Sequence, residues 1–202
     1  DEHLDAVAPA GRMDVIADLA FPLPFTVISE MLGMPDADRD QLRDWSHAIV
    51  KLLDPVITED ELREAFASSD AMTDHVNEVI GWKRAHPADD LLTALIRAEE
   101  DGDRLTPAEL RDQVVLLFIA GHETTVNLIG NGTLALLRHP DQLARWRDDP
   151  SLDANAVDEL LRYDGPVQFS RRITLGDLVV DDVTIPSGSF VFTVLGAANH
   201  DP

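Results

Sequence analysis

Up to about residue 165 the apolar positions of this chain recur every three or four residues, a helical period. Beyond that point they gather in short β-branched and aromatic runs. The pattern predicts a helical portion over 1–165 and a β-rich portion over 166–202. Met13-Asp14-Val15-Ile16 reads as a short strand ahead of the helices. Phe25 to Leu32 is apolar at helical spacing and stops at Gly33, with Pro35 beyond. Asp36 is placed to cap a helix carrying Leu42, Trp45, Ile49 and Leu52 on one face, which Pro55 ends. Thr58-Glu59-Asp60-Glu61 is a capping box and opens a longer helix to about Arg84. A shorter helix starts at Pro87-Ala88-Asp89-Asp90 and ends in Asp101-Gly102-Asp103.

Thr106-Pro107-Ala108-Glu109 is the strongest helix start in the chain: a cap, a proline at the first position and a glutamate at the third. Nothing interrupts the pattern until His139-Pro140. A helix over about 107–138 follows, roughly 45 Å long at ~1.5 Å per residue, enough to cross a whole domain. Pro140 to Arg147 and Asn155 to Tyr163 read as two short helices, the second stopped by Gly165-Pro166. Leu178-Val179-Val180 and Val183-Thr184-Ile185 flank Asp181-Asp182 as a hairpin, and Ser189 to Leu195 reads as a further strand.

Composition narrows the classes. The chain has 202 residues, 45% of them hydrophobic, enough for a sizeable core. The net charge of −22 repels phosphates and anionic lipid, so neither nucleic acid nor a membrane is an expected partner. The absence of cysteine excludes disulfides, thiolate zinc sites and cysteine nucleophiles within these residues. The acidic start, Asp1-Glu2-His3-Leu4-Asp5, has no signal-peptide pattern, and the apolar run Val114 to Ala120 is far shorter than a bilayer span. A cytoplasmic location is expected. With no initiator Met, and a last segment that stops straight after a strand-like run, a piece of a longer product is expected too.

Three motifs can carry chemistry. Ala120-Gly121-His122-Glu123-Thr124-Thr125 places two small residues, an acid and two hydroxyls inside the long helix. Leu116, Ile119, Ala120, Glu123 and Thr124 share a broad face on which Ala120-Gly121 leaves room for a flat ligand. Thr124 is placed to bond the Ala120 carbonyl, and Glu123 to receive and deliver protons. A plain helix crossing with a surface glutamate fits the same letters. Glu159-Leu160-Leu161-Arg162 makes an ion pair on one helical face, of little consequence if exposed. In Ser170-Arg171-Arg172, adjacent arginines on a strand point to opposite faces, so at most one turns inward. His122 has no second ligand at four-residue spacing, and no metal site is expected in this chain.

In this order the three motifs resemble those of cytochrome P450, most closely the soluble bacterial members. Ala120–Thr125 is similar to the family's central-helix motif, Ala/Gly-Gly-x-Asp/Glu-Thr-Thr, and Glu159–Arg162 to its Glu-x-x-Arg. Arg172 stands where the family places an arginine on a haem propionate. Ala197-Ala198-Asn199-His200-Asp201-Pro202 is similar to the family's Ala-Asn-Arg-Asp-Pro, with His200 for the arginine. The resemblance implies a mainly α fold with a small β region, built around one long helix, of which residues 1–202 are an incomplete single domain.

It also implies roles. Thr124 would hydrogen-bond the bound oxygen, and Glu123 would relay protons for O–O cleavage. Ala120 and Gly121 would lie against the haem, and Arg172 would neutralise a propionate. Leu116, Ile119, Ala120, Val167 and Phe169 would meet the substrate, and the stretch around Pro55-Val56-Ile57 would join two helices over its entrance. Glu159 and Arg162 would belong to a buried, structural ion-pair network. The parent would be an enzyme, a monooxygenase using haem b to put one oxygen atom of O2 into a C–H or C=C bond of an apolar molecule of the secondary-metabolite type. Electrons would come from NAD(P)H through a ferredoxin reductase and a ferredoxin, whose basic docking face is expected mostly outside this acidic piece. The family's iron is held by a cysteine thiolate. No cysteine stands here, so these residues alone are expected to be inactive. That lack also leaves open a haem-free, P450-like helper that binds and activates a partner enzyme.

Overall fold

The computed structural model describes residues 2–35, 39–100 and 105–201. The chain forms two compact units, Asp1–Val126 and Asn127–Pro202.

The first unit is helical. After α1 (Glu2–Val7), the Asp14 carboxylate accepts the amides of Ile16 and Ala17. The Asp14 amide in turn donates to Asp18. These local bonds satisfy the donors that a strand would leave for a neighbour, and Val15–Ala20 is a π-helical turn instead of the predicted strand. α2 (Pro22–Leu32) ends at Gly33, whose φ of 63° is the left-handed conformation that favours glycine. α3 (Arg39–Val50) runs into a 3-10 turn, Lys51–Leu53. α4 (Glu59–Ala85) opens with both capping-box bonds between Thr58 and Glu61 in place. α5 (Leu91–Glu100) starts later than Pro87 suggests, because Asp90 accepts the Thr93 amide at 2.8 Å and acts as its cap. The predicted cap at Asp36 and the stop at Asp101-Gly102-Asp103 lie outside the described residues.

The core of this unit joins Phe25 and Ile28 of α2, Leu42 of α3, Met72 and Val76 of α4 and Leu92 of α5. Leu110, Val114 and Phe118 reach it from α6 (Pro107–Arg138), which Thr106 and Glu109 open with reciprocal bonds. One ion pair is sealed inside. Lys83 Nζ lies 2.5 Å from Asp90, with side chains 3% and 9% exposed. A Cβ on Gly33 would stand 2.6 Å from Lys83 Nζ, so the end of α2 closes on the pair. Burial pushes the Asp90 carboxyl up, but hydrogen bonds from Lys83 and Thr93 outweigh it and hold the group below its ordinary value.

The second unit begins within α6. α7 (Pro140–Asp148) and α8 (Asp153–Asp164) follow. Asn131 of α6 donates to the Asp164 carbonyl at 3.1 Å. Gly132 admits the Leu160 side chain, which a Cβ there would meet at 3.0 Å. β1 (Ser170–Ile173) pairs antiparallel with β4 (Phe190–Thr193), and β2 (Leu178–Val180) with β3 (Val183–Ile185) as the predicted hairpin. Its turn puts Asp181 at φ 50°. β4 is shorter than Ser189 to Leu195, since Leu195–Ala198 coils into α9, where the Gly196 amide donates to the Gln168 carbonyl. Every buried hydrophobic side chain among the described residues belongs to the first unit.

Val15–Leu32 and Pro107–Arg138 are long and apolar enough to cross a membrane. The core helix of a soluble protein meets the same measure, and Leu110, Val114 and Phe118 are spent on a protein core here.

Candidate active site

α6 carries two unlike faces through the first unit. Leu110, Val114, Phe118 and His122, four residues apart, are all buried. Leu116 is 59% exposed, and Ala120, one turn on, is also open. Ile119 and Thr124 are half-buried beside them. The Thr124 hydroxyl donates to the Ala120 carbonyl at 3.0 Å. That bond spends its hydrogen on the helix and leaves the hydroxyl oxygen its lone pairs as acceptors.

Glu123 sits between the faces, its side chain 14% exposed. Burial pushes its carboxyl above the ordinary value, and His47 of α3 opposes this only in part. A raised carboxyl binds its proton more readily than a free one, and its remaining exposure lets it exchange that proton with water. This acid, Thr124 and the small side chain of Ala120 form the part of the predicted constellation that one helix brings together.

Gly121 does not belong to the surface offered to a ligand. A Cβ there would stand 2.7 Å from Cγ1 and 2.8 Å from Cδ1 of Ile28, so the missing side chain makes room for α2. Its glycine is a packing requirement of the helix crossing.

The remaining predicted residues lie in the second unit. Glu159 and Arg162 pair through two bonds of 2.6 Å, and Arg162 also donates to the Asn199 carbonyl at 2.8 Å. Their side chains are 57% and 45% exposed, so among the described residues this is a solvent-facing pair and not the buried network implied by the resemblance. Its bonds to Arg162 hold the Glu159 carboxyl below its ordinary value. Arg172 stands opposite Val191 in the sheet and donates to the Ser170 hydroxyl and the Arg171 carbonyl. Val167 is half exposed, and Phe169 packs edge-on against Phe192 at 5.6 Å. A groove of about 360 Å³ in this unit is lined by Leu136, Trp146, Tyr163 and Glu159, and by no other predicted site residue.

His122 is the residue that sequence reasoning undervalued. Its ring is fully buried, 5.0 Å from Phe118, 5.7 Å from Phe25 and 6.3 Å from Phe21. The signal was the four-residue stripe Leu110, Val114, Phe118, His122, which places the imidazole in the core.

The pattern that defines the family Cytochrome P450 matches residues 12–149. The chain belongs to the cytochrome P450 family. It is 49% identical to Cytochrome P450 107B1 of Saccharopolyspora erythraea, over all of this chain and 48% of that protein. It is 45% identical to the Vitamin D(3) 25-hydroxylase of Pseudonocardia autotrophica, over all of this chain and 49% of the relative. Among solved structures, P450BioI, crystallised with an acyl carrier protein ligated to hexadec-9Z-enoic acid, superimposes with a TM-score of 0.92 at 39% identity, covering all of this chain and 52% of that one. The P450 chain thus spans about half the length of the curated relatives it matches.

Proposed function

We propose that this chain is the oxygen-side portion of a haem-thiolate monooxygenase that puts one atom of O2 into a C–H or C=C bond of an apolar small molecule. The observation that carries the reading is the open α6 face on which the largely buried Glu123, its carboxyl raised above the ordinary value by burial, stands beside Thr124. In overall balance, for a C–H bond, substrate, O2, NAD(P)H and a proton become the hydroxylated product, water and NAD(P)+. We take the electron carriers to be a ferredoxin and its reductase, and the location to be cytoplasmic. A substrate of fatty-acid or secondary-metabolite type suits the exposed Leu116 and the partly buried Ile119 of the first unit.

Haem fits what this chain supplies on the oxygen side. Ala120 is open and Cβ-sized, and no bulky side chain of the Leu116–Ala120–Thr124 row stands in its place. Ala120 would lie against the macrocycle and Arg172 would meet a propionate, while the iron's thiolate ligand needs a cysteine that these 202 residues do not contain. When bound, haem supplies the oxygen-activating redox chemistry. The chain's own part is to hold and move protons: Glu123 keeps one at its carboxyl, and Thr124, fixed by the Ala120 carbonyl, offers an oxygen to orient it. Glu159 and Arg162 serve structure, joining α8 to the segment after α9. The haem-free helper is not favoured: the missing cysteine alone speaks for it, and the retained Glu123–Thr124 pair, which a helper does not need, speaks against it.

The test is Thr124→Ala in the full-length parent. NAD(P)H consumption continues, peroxide rises and product per NAD(P)H falls. Unchanged coupling overturns the assignment.

A further inference from the structure

His122 and Glu123 face each other inside the first unit. His122 Nδ1 lies 2.7 Å from the Phe118 carbonyl oxygen, which can only accept, so Nδ1 carries the ring hydrogen. Nε2 is then a bare lone pair. It is buried without a hydrogen-bond partner, and Glu123 Oε1 lies 3.7 Å from it. An ion pair is the wrong description of this contact. Burial lowers the imidazole's pKa despite the Phe118 bond, and burial raises the carboxyl's, so burial favours the neutral form of each. A neutral carboxylic acid has a hydrogen to donate, and the imidazole is a neutral acceptor. At 3.7 Å the two atoms stand just beyond hydrogen-bond reach, so the bond requires the carboxyl to turn towards the ring.

We propose that His122 is a positioning residue for Glu123: its Nε2 receives the hydrogen of the protonated carboxyl and keeps that acid loaded and oriented beside Thr124. The proposal rests on Glu123 being the acid of the site. The charges around the pair are few among the described residues. The π-helical turn and α2 present Phe21 and Phe25 to the imidazole. From α3, Arg43 and Arg39 lie over those two rings at 5.3 and 5.7 Å, and His47 acts on Glu123 in the opposite sense, favouring its ionised form.

The experiment is infrared titration of the full-length, haem-loaded protein, following the protonated-carboxyl band that Glu123→Gln removes. In His122→Phe the acceptor is lost and the band's midpoint falls by about one pH unit, tenfold less neutral acid at a fixed pH. His122→Gln, which returns an acceptor oxygen, moves the midpoint back towards the parent. An unshifted midpoint in His122→Phe, or no recovery in His122→Gln, overturns the proposal. Should His122→Phe fail to fold, 15N-histidine spectra of the parent decide instead. Nδ1 is protonated and the Nε2 resonance responds to Glu123→Gln; a protonated Nε2, or no response, refutes the pairing. The midpoint reads the pair alone, whereas product coupling in Thr124→Ala reads the monooxygenase assignment, so either can fail without the other.

Discussion

Gly121→Ala sets two effects of similar size against each other. A glycine inside a long helix costs about 0.8–1 kcal/mol relative to alanine, so on a free helix the change stabilises. Here the new Cβ would lie 2.7 Å and 2.8 Å from two carbons of Ile28. Ile28 is 7% exposed and branched at Cβ, so it cannot swing aside without leaving its rotamer. Overpacking of this kind costs about 1–3 kcal/mol, and two contacts below 3.0 Å against a stiff neighbour put it in the upper part of that range. The expected net effect is a destabilisation of about 1 kcal/mol. Ile28→Ala removes both close carbons. In that background Gly121→Ala stabilises by about the helix-propensity term, and the two changes couple by about 2 kcal/mol. Urea midpoints of the four full-length proteins, followed by circular dichroism, measure it. A Gly121→Ala protein as stable as its parent, or one equally destabilised in both backgrounds, refutes the reasoning.

Removing one partner of the sealed Lys83–Asp90 pair leaves the other charge buried, so Asp90→Ala should cost about 3–5 kcal/mol in the same assay, while Lys83→Met with Asp90→Leu recovers most of it. Because Asp90 titrates below its ordinary value, its contribution is complete above that value and disappears as pH falls through the lowered one. Acid unfolding should therefore shift when Asp90 is replaced by asparagine, and an identical acid midpoint contradicts this. Glu123 has the opposite sign: its raised carboxyl costs nothing at low pH, begins to cost as pH rises through the ordinary value of 4.5, and costs fully above the raised one. Glu123→Gln should gain on its parent across that window and hold the gain at higher pH; a gap independent of pH counts against a buried, protonated acid. Arg172→Ala in the full-length protein should speed haem loss to a scavenger such as apomyoglobin, and an unchanged rate removes Arg172 from the propionate.

What the sequence made legible was local. Capping at Thr58–Glu61 and Thr106–Glu109, the stop at Gly33 and the hairpin turn at Asp181 all follow from bonds between residues a few positions apart. The strand expected at Met13–Ile16 failed for a related reason, since the Asp14 side chain takes the amides first. The site was legible in its letters and less so in its faces. Glycine at 121 invites a ligand on paper, yet only tertiary structure shows α2 in that space. His122 looked like an isolated titratable group, and its meaning depends on three phenylalanines and a carboxyl arranged around it. Long-range packing decides both cases, and no spacing rule within one helix encodes it.

The sealed ion pair at Lys83 has a mechanical consequence. It fastens the last turn of α4 to the residue that caps α5, with the end of α2 closed over both. At its other end α4 starts from Thr58, next to a loop whose Val56 is 85% exposed. The rod is about 40 Å long, and near its far end a looser, partly exposed tie, Lys51 to Glu61 at 3.8 Å, takes the place that the rivet holds at Lys83. Any tilt that keeps the rivet intact leaves Lys83 in place and delivers its largest displacement to the Pro55–Thr58 end.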